Sequence, residues 1–161
     1  MEDNKGEKTK KSTTDKLKVN LQLLQISFVI FIFIATANPQ LLKNNILLAI
    51  QLTLSIPLMM SSIFARQRLM GGGIKRIKEW NNYGFITFVL AYGFLVNSVG
   101  IVLSSLLGIK IGLVFFLVNI INPLTYSYME IKDDKKELKS RIYKDLLFIG
   151  IVILLGILPS L

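Results

Sequence analysis

The sequence predicts an all-α fold: a polytopic transmembrane helical bundle of five spans, two helical hairpins plus a C-terminal helix, N-in/C-out. Three observations predict it. Five apolar stretches, at 19–37, 44–65, 83–105, 111–129 and 146–161, carry no charged residue. A helix rises about 1.5 Å per residue, so about 20 such residues cross a hydrocarbon core of about 30 Å. The connections between them alternate between short and long, as antiparallel neighbours require. The basic residues gather on alternate connections, and positive charge is retained in the cytoplasm.

The elements follow in order. Residues 1–18 hold six lysines among Glu, Asp and Thr and are expected to form a disordered, basic cytoplasmic tail. The first span, 19–37, is too long for a signal-peptide core, and its small-residue end at Ala35 to Ala37 is a faint cleavage pattern. Asn38-Pro39 then marks a turn into the second span at 44–65. The loop from 66 to 82 carries Arg66, Arg68, Lys75, Arg76 and Lys78. Within it, Ile74, Ile77 and Trp80 recur at helical spacing between cations, the pattern of a short amphipathic segment at the headgroups. The third and fourth spans, 83–105 and 111–129, are joined by five residues. A second charged loop, 130–145, leads to the last span at 146–161. Sixteen residues reach about 24 Å, so this span is short and needs local thinning of the bilayer.

The orientation rests on a count. Seventeen of the nineteen Lys and Arg residues and all ten acids fall on one side, and only Lys43 and Lys110 fall on the other. With a net charge of +9 a soluble chain would point to nucleic acid. Here the cations flank apolar segments, so anionic lipid headgroups at the cytoplasmic face are the expected partner and nucleic acid is not. Multi-pass insertion in the cell membrane is the expected localisation. Arg66, Arg68, Lys75, Arg76, Lys78 and Trp80 are the expected lipid contacts.

Composition narrows the chemistry. The chain is 52% hydrophobic with only 18% charged residues, and its 161 residues leave no room for a separate globular domain. Cysteine and histidine are absent, which removes disulfides, thiolate chemistry, imidazole catalysis and the usual zinc sites. No cofactor or metal is expected. Acids occur only near the cytoplasmic interface, with Glu130, Asp133 and Asp134 as a cluster, so the chain is read as more plausibly a non-enzyme.

The polar residues inside the spans are the candidate site. Pro57 and Pro123 sit within inward-running helices, where each removes an i to i−4 hydrogen bond and frees the carbonyls of Thr53 and Asn119. Gln51, Ser55 and Ser62 share a face of the second span. Thr87 and Ser98 share one on the third, with Asn97 beside it, and Asn119, Asn122 and Tyr126 share one on the fourth. Such residues avoid lipid and form either a solute pathway or interhelical hydrogen bonds. Gln51, Thr53, Pro57, Asn97, Asn119, Asn122 and Pro123 are the expected pathway residues. Gly108 and Gly112 give a GxxxG spacing at the outer end of the fourth span, and Gly150 and Gly156 are the expected packing points of the fifth. Gly71, Gly72 and Gly73 lie among cations but lack the P-loop Lys and Ser/Thr. An offset of 66 residues lays Pro57 on Pro123, Leu58 on Leu124 and Ser61 on Ser127, as in a parallel internal repeat. Two functions follow as expectations. One is an oligomeric permease or channel subunit for a neutral or weakly charged solute or ion. The alternative is a non-transporting scaffold, assembly factor or accessory subunit, working beside a membrane-protein partner.

Overall fold

The computed structural model of the chain describes residues 3–71, 75–133 and 138–161, with side chains described from residue 13 onward apart from 130 and 133–141. Among these residues the backbone is almost wholly helical and contains no strand. Helix α1 is Asp3–Ala37, α2 is Pro39–Asn44, α3 is Ile46–Met70, α4 is Ile77–Leu107, α5 is Ile109–Asp133 and α6 is Leu138–Val152. A π-helical turn, Ile153–Ile157, continues α6 into the single turn α7, Leu158–Ser160.

Five stretches are long and apolar enough to cross a bilayer: Thr13–Ala37, Ile46–Met70, Ile77–Leu107, Ile109–Met129 and Ile142–Ser160. By length and composition this is a multi-pass membrane protein. The last stretch is 19 residues, or about 28 Å, and so is longer than the apolar run alone implies. Apolar edges mark the hydrocarbon rather than the end of a helix, so α3 continues past residue 65 and α4 begins before residue 83. The amphipathic run from Ile77 to Trp80 is accordingly the first turn of α4, with the Trp80 N–H donating to the Arg76 carbonyl. Gly72, Gly73, Ile74 and Asp134 lie outside the described residues. Helix α1 begins at Asp3, so its backbone is helical through much of the stretch expected to be a disordered tail. That stretch holds no proline, and its lysines and glutamates are good helix formers.

Local chemistry sets the turns. Pro39 opens α2, where a missing N–H costs nothing. The Asn45 side chain accepts the Leu48 N–H at 3.0 Å and caps the start of α3. Gly108, at φ +96°, makes the turn between α4 and α5, a conformation that L side chains avoid. Gly108 therefore serves the turn, whereas Gly112 lies against α4, where an added Cβ would stand 3.0 Å from the Gly100 carbonyl oxygen and collide with Ser104.

The chain divides into two compact units. The first comprises Met1–Pro39 and Thr53–Tyr92, the second Gln40–Leu52 and Gly93–Leu161, so α3 and α4 give a segment to each. This division does not follow the 66-residue offset. In the first unit Met59, Ile63 and Ala91 form a buried core, covered by Leu17, Leu23, Leu24, Leu58 and Phe88. A hydrogen-bond relay ties its three helices. Asn20 of α1 donates through Nδ2 to Ser62 Oγ of α3 at 2.8 Å, and Ser62 Oγ donates to the Gly84 carbonyl of α4 at 2.6 Å. A Cβ at Gly84 would stand 2.8 Å from the Ala65 Cβ, so glycine is what lets α3 and α4 approach there. In the second unit Leu48, Leu95, Val96, Ile101, Phe116, Phe148, Ile151 and Val152 are buried. Ser127 Oγ of α5 donates to Asp145 Oδ1 of α6 at 2.9 Å.

Candidate functional site

A buried polar cluster lies in the second unit and begins with a proline. Pro159 has no N–H, so it cannot donate to the carbonyl four residues before it, that of Leu155. The helix answers with the π turn, in which the Leu158 N–H reaches back to the Ile153 carbonyl. Gln51 of α3 supplies the missing donor: its Nε2 lies 2.8 Å from the Leu155 oxygen. Asn97 of α4 completes the group by donating through Nδ2 to Gln51 Oε1 at 2.9 Å and to the Ile151 carbonyl at 3.2 Å. Gln51 is 1% exposed and Asn97 is fully buried. Three helices are thereby joined through two amides and two carbonyls. Asn97 Oδ1 has no hydrogen-bond partner among the described residues. It lies over Gly156, where a Cβ would collide with it and stand 2.8 Å from the Phe116 ring. Gly156 thus lets the π turn close on Asn97, whereas Gly150 has open space around its Cα.

The remaining expected pathway residues fall elsewhere. Asn119 is half-buried and donates to the Phe115 carbonyl of its own helix at 2.9 Å. Asn122 is exposed and Pro123 is half-buried. Neither Pro57 nor Pro123 ends its helix, since α3 and α5 each continue past the proline. Thr53 and Pro57 belong to the first unit and are exposed. The structure therefore brings Gln51 and Asn97 together and leaves the other five outside that contact. Sequence reasoning passes over Pro159 and Asn20. The rule applied to Pro57 and Pro123 would point to Leu155 as well, whereas Asn20 is one of three amides, with Gln22 and Gln25, near the start of the first span, and nothing in the sequence singles it out.

A second feature lies in the first unit, where the end of α3, the turn before α4 and the start of α4 carry the expected lipid contacts. Arg68, Lys75, Arg76, Lys78 and Trp80 are exposed. Arg66 is turned inward, 7% exposed, and donates through Nη1 to Asn81 Oδ1 at 2.6 Å. A groove of about 640 Å³ is lined by Ser61, Phe64, Arg76, Glu79, Trp80 and Tyr83. The Trp80 and Tyr83 rings meet edge to face, 6.1 Å apart at 89°. Arg76 Nη1 and Glu79 Oε2 form an ion pair at 3.4 Å. Among the described residues no group of three or more His, Cys, Asp or Glu side chains is placed to hold a metal ion. No protein-family model matches the sequence, and no curated protein or solved structure is significantly similar to it.

Proposed function

We propose that the protein is a non-transporting component of the cell membrane, an accessory or scaffold subunit, N-in/C-out. One observation carries the choice: Asn97 donates to Gln51, and both donate to helix carbonyls, in a cluster that is essentially fully buried. Amides committed in this way hold helices together, because without Gln51 the Leu155 carbonyl, which Pro159 cannot serve, would lose its donor in hydrocarbon. The orientation is supported by the seventeen cations on one side. On this reading the exposed cations Arg68, Lys75 and Lys78 draw the connection between α3 and α4 to anionic lipid at the cytoplasmic face.

Reconstitution tests the reading. Vesicles containing the purified protein should leak a panel of ions and small neutral solutes no faster than empty vesicles. Flux above that background would overturn it.

A second reading, an oligomeric permease or channel subunit, keeps one observation in its favour. Thr53 and Asn122 are exposed within spans, where polar side chains seek water or a neighbouring copy. Its signature is flux that Asn122→Leu abolishes while the oligomer stays intact.

A further inference from the structure

We infer that the groove of the first unit is a seat for a zwitterionic phospholipid headgroup carrying a primary amine, the phosphoethanolamine type. The inference rests on membrane insertion alone and is independent of the transport question and of sidedness.

The position of the groove selects a lipid. Its walls come from α3 and α4, near the end of one candidate span, Ile46–Met70, and the start of the next, Ile77–Leu107. Ser61 lies nine residues before Met70, about 13 Å along the helix, whereas Arg76 precedes the first residue of α4. The groove therefore runs from headgroup level towards the hydrocarbon. Its charged residues, Arg76 and Glu79, belong to the outer end, and Phe64 and Ser61 to the inner wall. Trp80 and Tyr83 lie between, as interfacial aromatics do. A phospholipid has the same order of parts: charged head, ester-bearing glycerol, acyl chain. Phe64, 59% exposed, offers apolar surface to the chain, and the half-buried Ser61 offers a hydroxyl to an ester carbonyl.

The charges select the headgroup. Among the described residues the groove is lined by one cation and one anion, so a purely anionic headgroup would satisfy Arg76 and face repulsion from Glu79. A phosphoethanolamine head satisfies both: phosphate to the Arg76 guanidinium, ammonium to the Glu79 carboxylate. The existing pair yields readily, because its side chains are 76% and 69% exposed and such pairs are weak in water. An ammonium also gains from the Trp80 face. A trimethylammonium head keeps the ring contact but has no N–H for Glu79 to accept. Diffuse attraction of anionic lipid by Arg68, Lys75 and Lys78 is a separate effect and falls with salt.

Trp80 is the sole tryptophan in the chain and lines the groove, so it reports occupancy directly. The full-length protein is reconstituted in phosphatidylcholine vesicles containing a minor share of brominated lipid, whose bromines quench nearby tryptophan. Brominated phosphatidylethanolamine should quench Trp80 with an apparent affinity about threefold or more above brominated phosphatidylcholine or phosphatidylglycerol, in high salt as in low. Glu79→Gln should remove the preference over phosphatidylcholine, while the variant and the wild-type protein keep the same circular dichroism. Equal quenching by the three lipids would overturn the inference, leaving a non-selective annular position. Stronger quenching by phosphatidylglycerol would overturn it in favour of a plain anionic site. Absence of quenching by all three would mean that protein, not lipid, covers the groove, and would overturn it too.

Discussion

Replacing Gln51 by leucine removes the side-chain donor that reaches the Leu155 carbonyl, at 2.8 Å, in place of the N–H that Pro159 lacks. It also removes the oxygen that accepts from Asn97 at 2.9 Å. Hydrogen bonds between membrane helices average about 0.6 kcal/mol and reach about 1.7. Two are lost, and one leaves an acceptor without a donor, so Gln51→Leu should cost about 1–2 kcal/mol. The cost should depend on Pro159. Pro159→Ala returns an N–H four residues after Leu155, and the helix can then satisfy that carbonyl itself. In the Pro159→Ala background Gln51→Leu should therefore cost less by about 0.6 kcal/mol or more. Equilibrium unfolding of the four proteins in mixed micelles, followed by far-UV circular dichroism, measures this coupling. Equal cost in the two backgrounds would refute the reasoning that Gln51 stands in for the missing N–H.

The other predictions concern packing, the relay and topology. Gly156→Ala drives a methyl into Asn97 Oδ1 and the Phe116 ring and should destabilise the protein by about 1–3 kcal/mol in the same assay. Much of that loss should be recovered in the Asn97→Ala background. Ser62→Ala breaks both links of the Asn20–Ser62–Gly84 relay and should cost about 1–2 kcal/mol. Adding Asn20→Leu, which removes the orphaned amide, should cost less than its effect alone, and simple additivity would count against the relay. Because the chain has no cysteine, single cysteines report sidedness cleanly. A membrane-impermeant maleimide should label Lys43→Cys and Lys110→Cys in intact cells, and Lys78→Cys only after permeabilisation; the reverse pattern would invert the topology.

The spans were legible in the sequence because each is a long run without charge, and a membrane demands nothing subtler. Their helical ends were less legible. Arg66 to Met70 and Ile77 to Asn82 continue the helices with many polar or charged side chains, and hydropathy cannot distinguish a helix leaving the membrane from a loop. Gln51 and Asn97 stood out as amides in apolar surroundings, and the structure joins them. What they bond to was hidden, since the backbone carbonyls they reach lie beside the π turn and Pro159, more than fifty residues further on from Asn97. The Gly108–Gly112 spacing was legible in one half only: Gly112 packs against α4, but Gly108 does not. A glycine spacing does not reveal whether its first member is helical, and here its positive φ makes it a turn. The groove was legible only in part: Trp80 and Arg76 were singled out, but Ser61 and Phe64 join them from another helix.

The central claim is that the Gln51–Asn97 cluster is dry and structural. The most direct measurement is the rate at which a small hydrophilic thiol reagent modifies Asn97→Cys in native membranes, with Lys110→Cys as the water-exposed reference. A thiol must reach water to ionise and react. A dry cluster leaves Asn97→Cys unmodified until the protein is denatured. Modification at a rate comparable to the reference would place a water-filled path at Asn97 and contradict the claim.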